Sequence, residues 1–267
     1  MKTSPNSDHL PSTPALGAFL VEYAARLLGC GATCLRLEMN LQRMAQAYGH
    51  KVEVTIFPRH VHLVVNQANE KHCSERAFTT MAAVPRCGIS YACNTELSRL
   101  SWTIADDGMP LSQAWARYDE IISAPGINPN IVLVLAALAN AAFCRLFGGD
   151  WVAMACVTLS TLVGFYFKQR LAARHIDLRV IVTLCAFIST VIAASDMLFG
   201  LGSTPGIAIG SSVLYLVPGI PFLNSFSDLL NHHYICAFSR FMDAVVLTCC
   251  LSLGLCAGMA MMQVGMF

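Results

Sequence analysis

The amino-acid sequence predicts an α-helical membrane protein with five transmembrane helices, preceded by a small cytoplasmic α/β domain. Three observations predict it. Of 267 residues, 55% are apolar and only 12% charged, with a mean hydropathy of +0.57, far from the charge content of a soluble domain. The charge is also unevenly placed: residues 1–130 carry 11 Lys and Arg and 11 Asp and Glu, against 6 and 5 in residues 131–267, with no Glu after Glu120. Five apolar stretches then follow the step in polarity. Pro125, Gly126 and Pro129 mark the step as a linker. The expected organisation is a disordered N-terminus over 1–14, a cytoplasmic α/β domain over 15–125, a linker over 126–130 and a five-helix membrane domain over 131–267.

In the first half, Leu16, Phe19, Leu20, Tyr23, Leu27 and Leu28 recur at helical spacing, with Gly29 and Gly31 as a stop. A second helix is expected over 33–48, turning Leu37, Leu41 and Met44 inward and ending at Gly49. Val52, Val54 and Ile56 then alternate with Glu53 and Thr55, Pro58-Arg59 makes a turn, and HVHLVV follows, which is a β-hairpin signature. Residues 77–87 show no regular pattern. Two more helices fit residues 92–106 and 110–123, parted by Asp107-Gly108.

In the second half the apolar spans are expected over 131–147, 151–167, 180–199, 207–217 (continuing through a proline break) and 244–267. A helix needs about 20 residues to cross a bilayer, and shorter ones are accommodated by thinning. Gly148, Gly149 and Asp150 alone separate the first two spans, so these form a tight hairpin. Lys168, Arg170, Arg174 and Arg179 fall between spans two and three, whereas the stretch GLGSTPG between spans three and four has no basic residue. Positive charge stays inside, so the 168–179 loop, and with it the first half, is expected in the cytoplasm and the C-terminus outside. The opening segment MKTSPNSDHLPSTP lacks the apolar core of a signal peptide, which agrees. The 12 cysteines are scattered, many within apolar runs, and read as small hydrophobes.

Several functions are excluded or disfavoured. A net charge of +1 with no basic cluster gives no reason to expect nucleic acid. No phosphate-binding loop, dinucleotide fingerprint, HExxH or G-x-S-x-G occurs, so neither ATP hydrolysis nor a familiar hydrolase is expected, and no cofactor is implied. His60 and His62 share a strand face without a Cys or carboxylate at ligand spacing, and no metal site is expected.

The stretch VPGIPFLNSFSDLLNHH, residues 217–233, is the leading candidate site. Pro218 and Pro221 cannot donate backbone hydrogen bonds and Gly219 weakens a helix, so the fourth span breaks here. Unpaired backbone is tolerated in a membrane only against protein or water. Pro221 suits the first turn of a new helix, on which Asn224, Asp228 and His232 fall at i, i+4 and i+8, on one face. Transporters hold polar solutes and protons beside such broken helices. The plainer alternative is an interfacial turn followed by an amphipathic helix. Arg240 and Asp243 are spaced for a juxtamembrane ion pair and are secondary candidates with His232. Asp196, at the end of span three, is expected to face external water, and Gly206, Gly210, Ser211 and Ser212 to permit close helix packing.

With GCGATCLRLEMNLQRMAQAYG, FCRLFGGDW and LYLVPGIPFLNSFSDLL in this order, the chain resembles the threonine/serine exporter family from about residue 15 to 262. That resemblance implies an inner-membrane exporter of small polar metabolites, with Pro218, Gly219, Pro221, Asn224 and Asp228 matching the family stretch. It also implies that the second multi-span half of the transporter is supplied by a separate small membrane protein. Partners are then the small-molecule solute, that membrane protein, the lipid bilayer and a further copy of the chain. The function expected is a secondary exporter subunit for carboxylate-bearing solutes such as threonine, serine or a dicarboxylate like succinate. A non-transporting membrane scaffold or regulator, acting through its cytoplasmic domain, is the alternative.

Overall fold

A computed structural model describes residues 11–68, 77–85, 87–200 and 202–263. Most of the segment expected to be a disordered N-terminus, and the extreme C-terminus, lie outside the described residues. The chain divides into two compact units, one of Met1–Pro125 with Ile220–Phe241, the other of Gly126–Gly219 with Met242–Phe267.

In the first unit, α1 (Thr13–Gly29) buries Leu16, Phe19, Leu20, Tyr23 and Leu27 completely, which is the predicted stripe. Burying each such side chain stabilises the fold by about 1.5–3 kcal/mol. Gly31 turns the chain with φ 89°, a conformation that penalises any Cβ. Thr33 then caps α2 (Cys34–Ala47) by accepting from the Arg36 N–H, and Leu37, Leu41 and Met44 face inward. The hairpin follows as predicted, β1 (His50–Ile56) pairing antiparallel with β2 (His60–Gln67) in the register Val52↔Val65 and Ile56↔Val61. Val61, Leu63 and Val65 alternate into the core fully buried.

A third strand, β3 (Phe78–Ala83), pairs antiparallel with β2 and gives the sheet order β1-β2-β3. It lies where the sequence shows no regular pattern, and the reason is visible: it is an edge strand none of whose residues is fully buried, so nothing selects a strong apolar alternation. Helices α3 (Tyr91–Asp107) and α4 (Leu111–Ser123) complete the unit, separated by Gly108 at φ 63°. Phe19, Trp115 and Tyr118 meet edge to face, joining α4 to α1.

The second unit inverts this burial pattern. Its helices are α5 (Pro129–Leu146), α6 (Trp151–Ala173), α7 (Leu178–Phe199), the short α8 (Pro205–Ser212), a single 3-10 turn at Leu214–Leu216, and the C-terminal part of a long final helix. Leu135, Leu138, Phe143, Leu146, Leu159 and Phe199 point outward, while Ala137, Asn140, Ala153, Ser160, Thr161, Ser189 and Thr190 are buried. Water would select the opposite arrangement; a hydrocarbon solvent selects this one, because apolar faces gain nothing by hiding from it and polar groups must find partners within the protein.

Two helices straddle the units: α9 (Gly219–Leu230) and α10 (Tyr234–Met261). Among the described residues four helices are long and apolar enough to cross a membrane, namely α5, α6, α7 and α10, and a fifth candidate span exists if α8 with its 3-10 turn and α9 are counted as one broken span. The expected span over 244–267 begins ten residues earlier, at Tyr234. Likewise α6 runs on to Ala173, so Lys168 and Arg170 lie on a helix instead of in the expected 168–179 loop.

The packing glycines are also not those expected. At Gly206 and Gly210 an added Cβ would meet nothing within 4 Å. At Gly254 it would strike the Thr183 carbonyl, and at Gly258 it would lie 2.8 Å from the Thr190 Cβ, so these two let α10 approach α7 closely.

Candidate functional site

The break expected in the fourth span is present. The 3-10 turn ends at Leu216, Val217 is extended, and α9 starts at Gly219 with Pro221 in its first turn. Pro218 is buried, whereas a Cβ at Gly219 would meet nothing within 4 Å, so the break comes from the prolines and not from a close approach at the glycine.

Beyond the break, α9 carries Asn224 and Asp228 onto the turn between α1 and α2. The Asn224 side-chain amide donates to the Gly31 carbonyl at 2.8 Å. The Asp228 carboxylate, with no exposure to solvent, accepts the Cys34 backbone N–H at 2.9 Å through one oxygen and meets Arg240 Nη1 at 2.9 Å through the other. Arg240 Nη2 in turn donates to the Ala32 carbonyl at 2.9 Å. Asp228 thus supplies a negative charge to the free N–H groups opening α2, while Arg240 neutralises it. The neighbouring Cys34 thiol is pushed up by its hydrogen bond to Cys236 and by burial, which keeps a second negative charge away from Asp228.

The expectation of Asp228 beside a wet cavity is therefore corrected for this structure: every bond described for it runs to protein, and it is sealed from solvent. Arg240 pairs with Asp228 and not with Asp243, which is exposed. His232 also departs from expectation. Helix α9 ends at Leu230 and His232 has φ 64°, so the one-face spacing from Asn224 does not continue to it. Its Nδ1 lies 2.8 Å from the Tyr234 hydroxyl, and His233 Nε2 lies 3.5 Å from Glu38. The two histidines line an open groove of about 290 Å³ with Glu38, Thr55, Tyr234 and Cys236.

A second set of polar groups, largely missed by sequence reasoning, is buried within the second unit. The Asn140 amide, 4% exposed, donates to Thr161 Oγ1 at 2.9 Å and reaches the Ser211 carbonyl at 3.4 Å. Ser189 Oγ and the Tyr215 hydroxyl are 2.9 Å apart, and Ser189 also reaches the Ser160 carbonyl at 3.3 Å. Gly164 is required here, since a Cβ would collide with both the Tyr215 hydroxyl and Ser189 Oγ. Beside them, Lys168 Nζ stands 5.3 Å from the centre of the Phe165 ring and 5.8 Å from that of Tyr215. Among the described residues it has no carboxylate partner. Single Asn, Ser, Thr and Tyr residues in apolar runs have no period of their own, which is why they escaped notice; Lys168 was read only as a charge for orientation.

The end of the unit that holds the α5–α6 turn contains two carboxylates. Asp150 caps α6 by accepting the Ala153 N–H at 2.7 Å, and it also accepts the Ser203 N–H and hydroxyl at 2.6 and 2.9 Å. Those donors, led by the Ala153 amide, hold its carboxyl down to about 2. Asp196, expected to face external water, has no solvent exposure at all. Among the described residues no group of three or more His, Cys, Asp and Glu is gathered as metal ligands.

With this geometry in hand, comparison with known proteins is informative. A family model described as "Putative threonine/serine exporter" matches residues 18–262. The chain belongs to the threonine/serine exporter family. This is a family of transporters, so the protein is a membrane transport protein and not an enzyme. It is 34% identical to a "Probable succinate transporter subunit YjjP" of Escherichia coli over 134 residues, 49% of this chain and 50% of that protein. It is 27% identical to the Klebsiella aerogenes protein of the same description over 250 residues, 92% of this chain and 94% of that one. A "Probable threonine/serine exporter" of Mycobacterium tuberculosis is 24% identical over 180 residues, 66% of this chain and 34% of that one. No solved structure matches.

Proposed function

We propose that this protein is one subunit of a secondary exporter of small polar metabolites bearing carboxylates, a dicarboxylate such as succinate or the amino acids threonine and serine. It would act in the inner membrane with a second multi-span membrane protein, its first unit in the cytoplasm. The names of its relatives, a succinate transporter subunit and a threonine/serine exporter, support the solute class and the need for a partner.

The single observation that carries the reading is Lys168, a half-buried cation near the C-terminal end of α6 with no carboxylate partner among the described residues, against the Phe165 and Tyr215 rings. A half-buried cation without a counter-ion favours an anionic ligand that can pair with it. A solute carboxylate entering this region would find a compensating charge, in surroundings of low dielectric where such a contact is strong. Asn140 and Thr161 extend the polar seam along the bundle. In this reading the break at Pro218, Gly219 and Pro221 lets α9 leave the span, and Asn224 and Asp228 act as positioning groups that fix it to the α1–α2 turn.

Efflux of labelled succinate, serine and threonine from preloaded cells tests it. Lys168→Met should lower efflux of the true solute at least tenfold at equal membrane abundance, Lys168→Arg should retain part of it, and Glu53→Gln, on the exposed side of β1, should leave it unchanged. Undiminished efflux in Lys168→Met rules out the carboxylate anchor.

A further inference from the structure

The pair Asp150 and Asp196 has no role in the solute site just described. Asp196 lies in the last turn of α7, where the helix dipole is negative and a carboxylate is least welcome. It is wholly buried, and among the described residues neither of its oxygens has a hydrogen-bond partner. It also stands beside a second carboxylate. Both Asp196 oxygens lie 2.8 and 3.0 Å, and Asp150 Oδ2 lies 2.9 Å, from the one point a Cβ on Gly202 would occupy. The two carboxylates therefore crowd the same side of Gly202, where a side chain would strike both.

The two acids are not equivalent. Asp150 is satisfied by three N–H and O–H donors and the N-terminus of α6. Asp196 receives none of these. No basic side chain pairs with either acid among the described residues, and the nearest, Arg145, donates to the Gly149 carbonyl and lies over the Trp151 ring. The other ionisable neighbours are the thiols of Cys144 and Cys156, which supply no positive charge. Leaving a buried carboxylate uncompensated costs several kcal/mol. Something positive from outside the chain must therefore balance it.

We infer that Asp196, with Asp150 beside it, forms a binding site for one small monovalent cation, Na⁺ or H⁺. Na⁺ would take its oxygens from both carboxylates with water completing the shell, and H⁺ would reside on Asp196 itself. Resting on the exporter reading, the site is placed to hold the ion whose gradient drives the solute. Cation binding is a property of this chain alone and does not require solute or partner.

The full chain in lipid nanodiscs tests the site with two probes. One is saturable binding of radioactive sodium; the other is the infrared band of a protonated carboxyl group, recorded with Na⁺ absent. Wild type should give one of the two signals, and Asp196→Asn should abolish it. Gly202→Ala, whose methyl would press on both carboxylates without removing a ligand, should weaken it at least tenfold, and this second variant decides the matter should Asp196→Asn fold poorly. Asp119→Asn, on an exposed face of α4, and Lys168→Met should both retain the signal, so that a failed solute site and a failed cation site are told apart. Neither signal in wild type, or a signal undiminished in both Asp196→Asn and Gly202→Ala, overturns the proposal.

Discussion

Replacing Asp228 with alanine should loosen the start of α2 by an amount that can be worked from two contacts. The Cys34 N–H donates to a fully buried carboxylate at 2.9 Å, and a hydrogen bond to a charged group contributes about 1.5–3 kcal/mol. Every 1.4 kcal/mol is a factor of ten, so amide exchange at Cys34 should quicken by roughly 10- to 150-fold wherever local opening governs it. Loss of the carboxylate also leaves Arg240 without its counter-ion at 2.9 Å, which costs about 3–5 kcal/mol for a fully buried pair. The Arg240 side chain is 20% exposed and still donates to the Ala32 carbonyl, so water recovers some of that, and the effect belongs at or below the lower end. Hydrogen exchange read by mass spectrometry on the full chain in detergent gives the answer. Exchange at Ala114, bonded to the Pro110 carbonyl in α4, serves as the reference amide. Asp228→Asn should fall between wild type and Asp228→Ala, because it keeps an acceptor and loses the charge. If Cys34 exchanges at the wild-type rate in Asp228→Ala while the protein stays folded, the capping role assigned here is wrong.

Three further outcomes are expected. Gly254→Ala should lower thermal stability by an overpacking cost of about 1–3 kcal/mol, because the new methyl meets the Thr183 carbonyl, while Gly210→Ala, with open space around it, should be neutral or stabilising; equal melting temperatures would refute the α7–α10 contact. The Cys30 and Cys93 sulfurs are 3.3 Å apart, so diamide, which accepts two electrons and two protons, should join them as a disulfide visible by mass spectrometry, and a preference for any other pair contradicts this placement. Asp150, whose carboxyl is held down to about 2, contributes stability that is present above the unfolded carboxyl range and is lost as pH falls through the folded value; Asp150→Ala should flatten the acid limb of a stability profile between pH 4 and about 2, and an unchanged limb would contradict the cap.

How much of this was legible beforehand depends on the kind of signal each feature leaves. The α1 stripe from Leu16 to Leu27, the Val52 to Val65 hairpin and the Gly108 break read directly, because a water-facing fold imposes a period on its apolar residues. The edge strand β3 left none, having no fully buried residue. Within the second unit large apolar residues lie on the outer faces as well as in the interior, so periodicity says little, and the informative residues are isolated polar ones such as Asn140, Ser189 and Asp196. Their neighbours, Thr161, Tyr215 and Asp150, come from other helices and turns, which no local pattern encodes. Asp228 stands out in the sequence as an acid after a broken helix, but its contact with Cys34, 194 residues away, is a capping contact in place of the wet cavity expected of it.

Solute movement itself is the measurement that bears most directly on the central claim. Sealed vesicles containing this chain, with and without a candidate second multi-span membrane protein, should be loaded with labelled succinate, serine or threonine and followed for efflux under an imposed ion gradient. The account predicts gradient-dependent efflux of at least one of these carboxylates when both proteins are present, and its loss in Lys168→Met. Efflux no faster than from empty vesicles, for every solute and with both proteins correctly inserted, would contradict it.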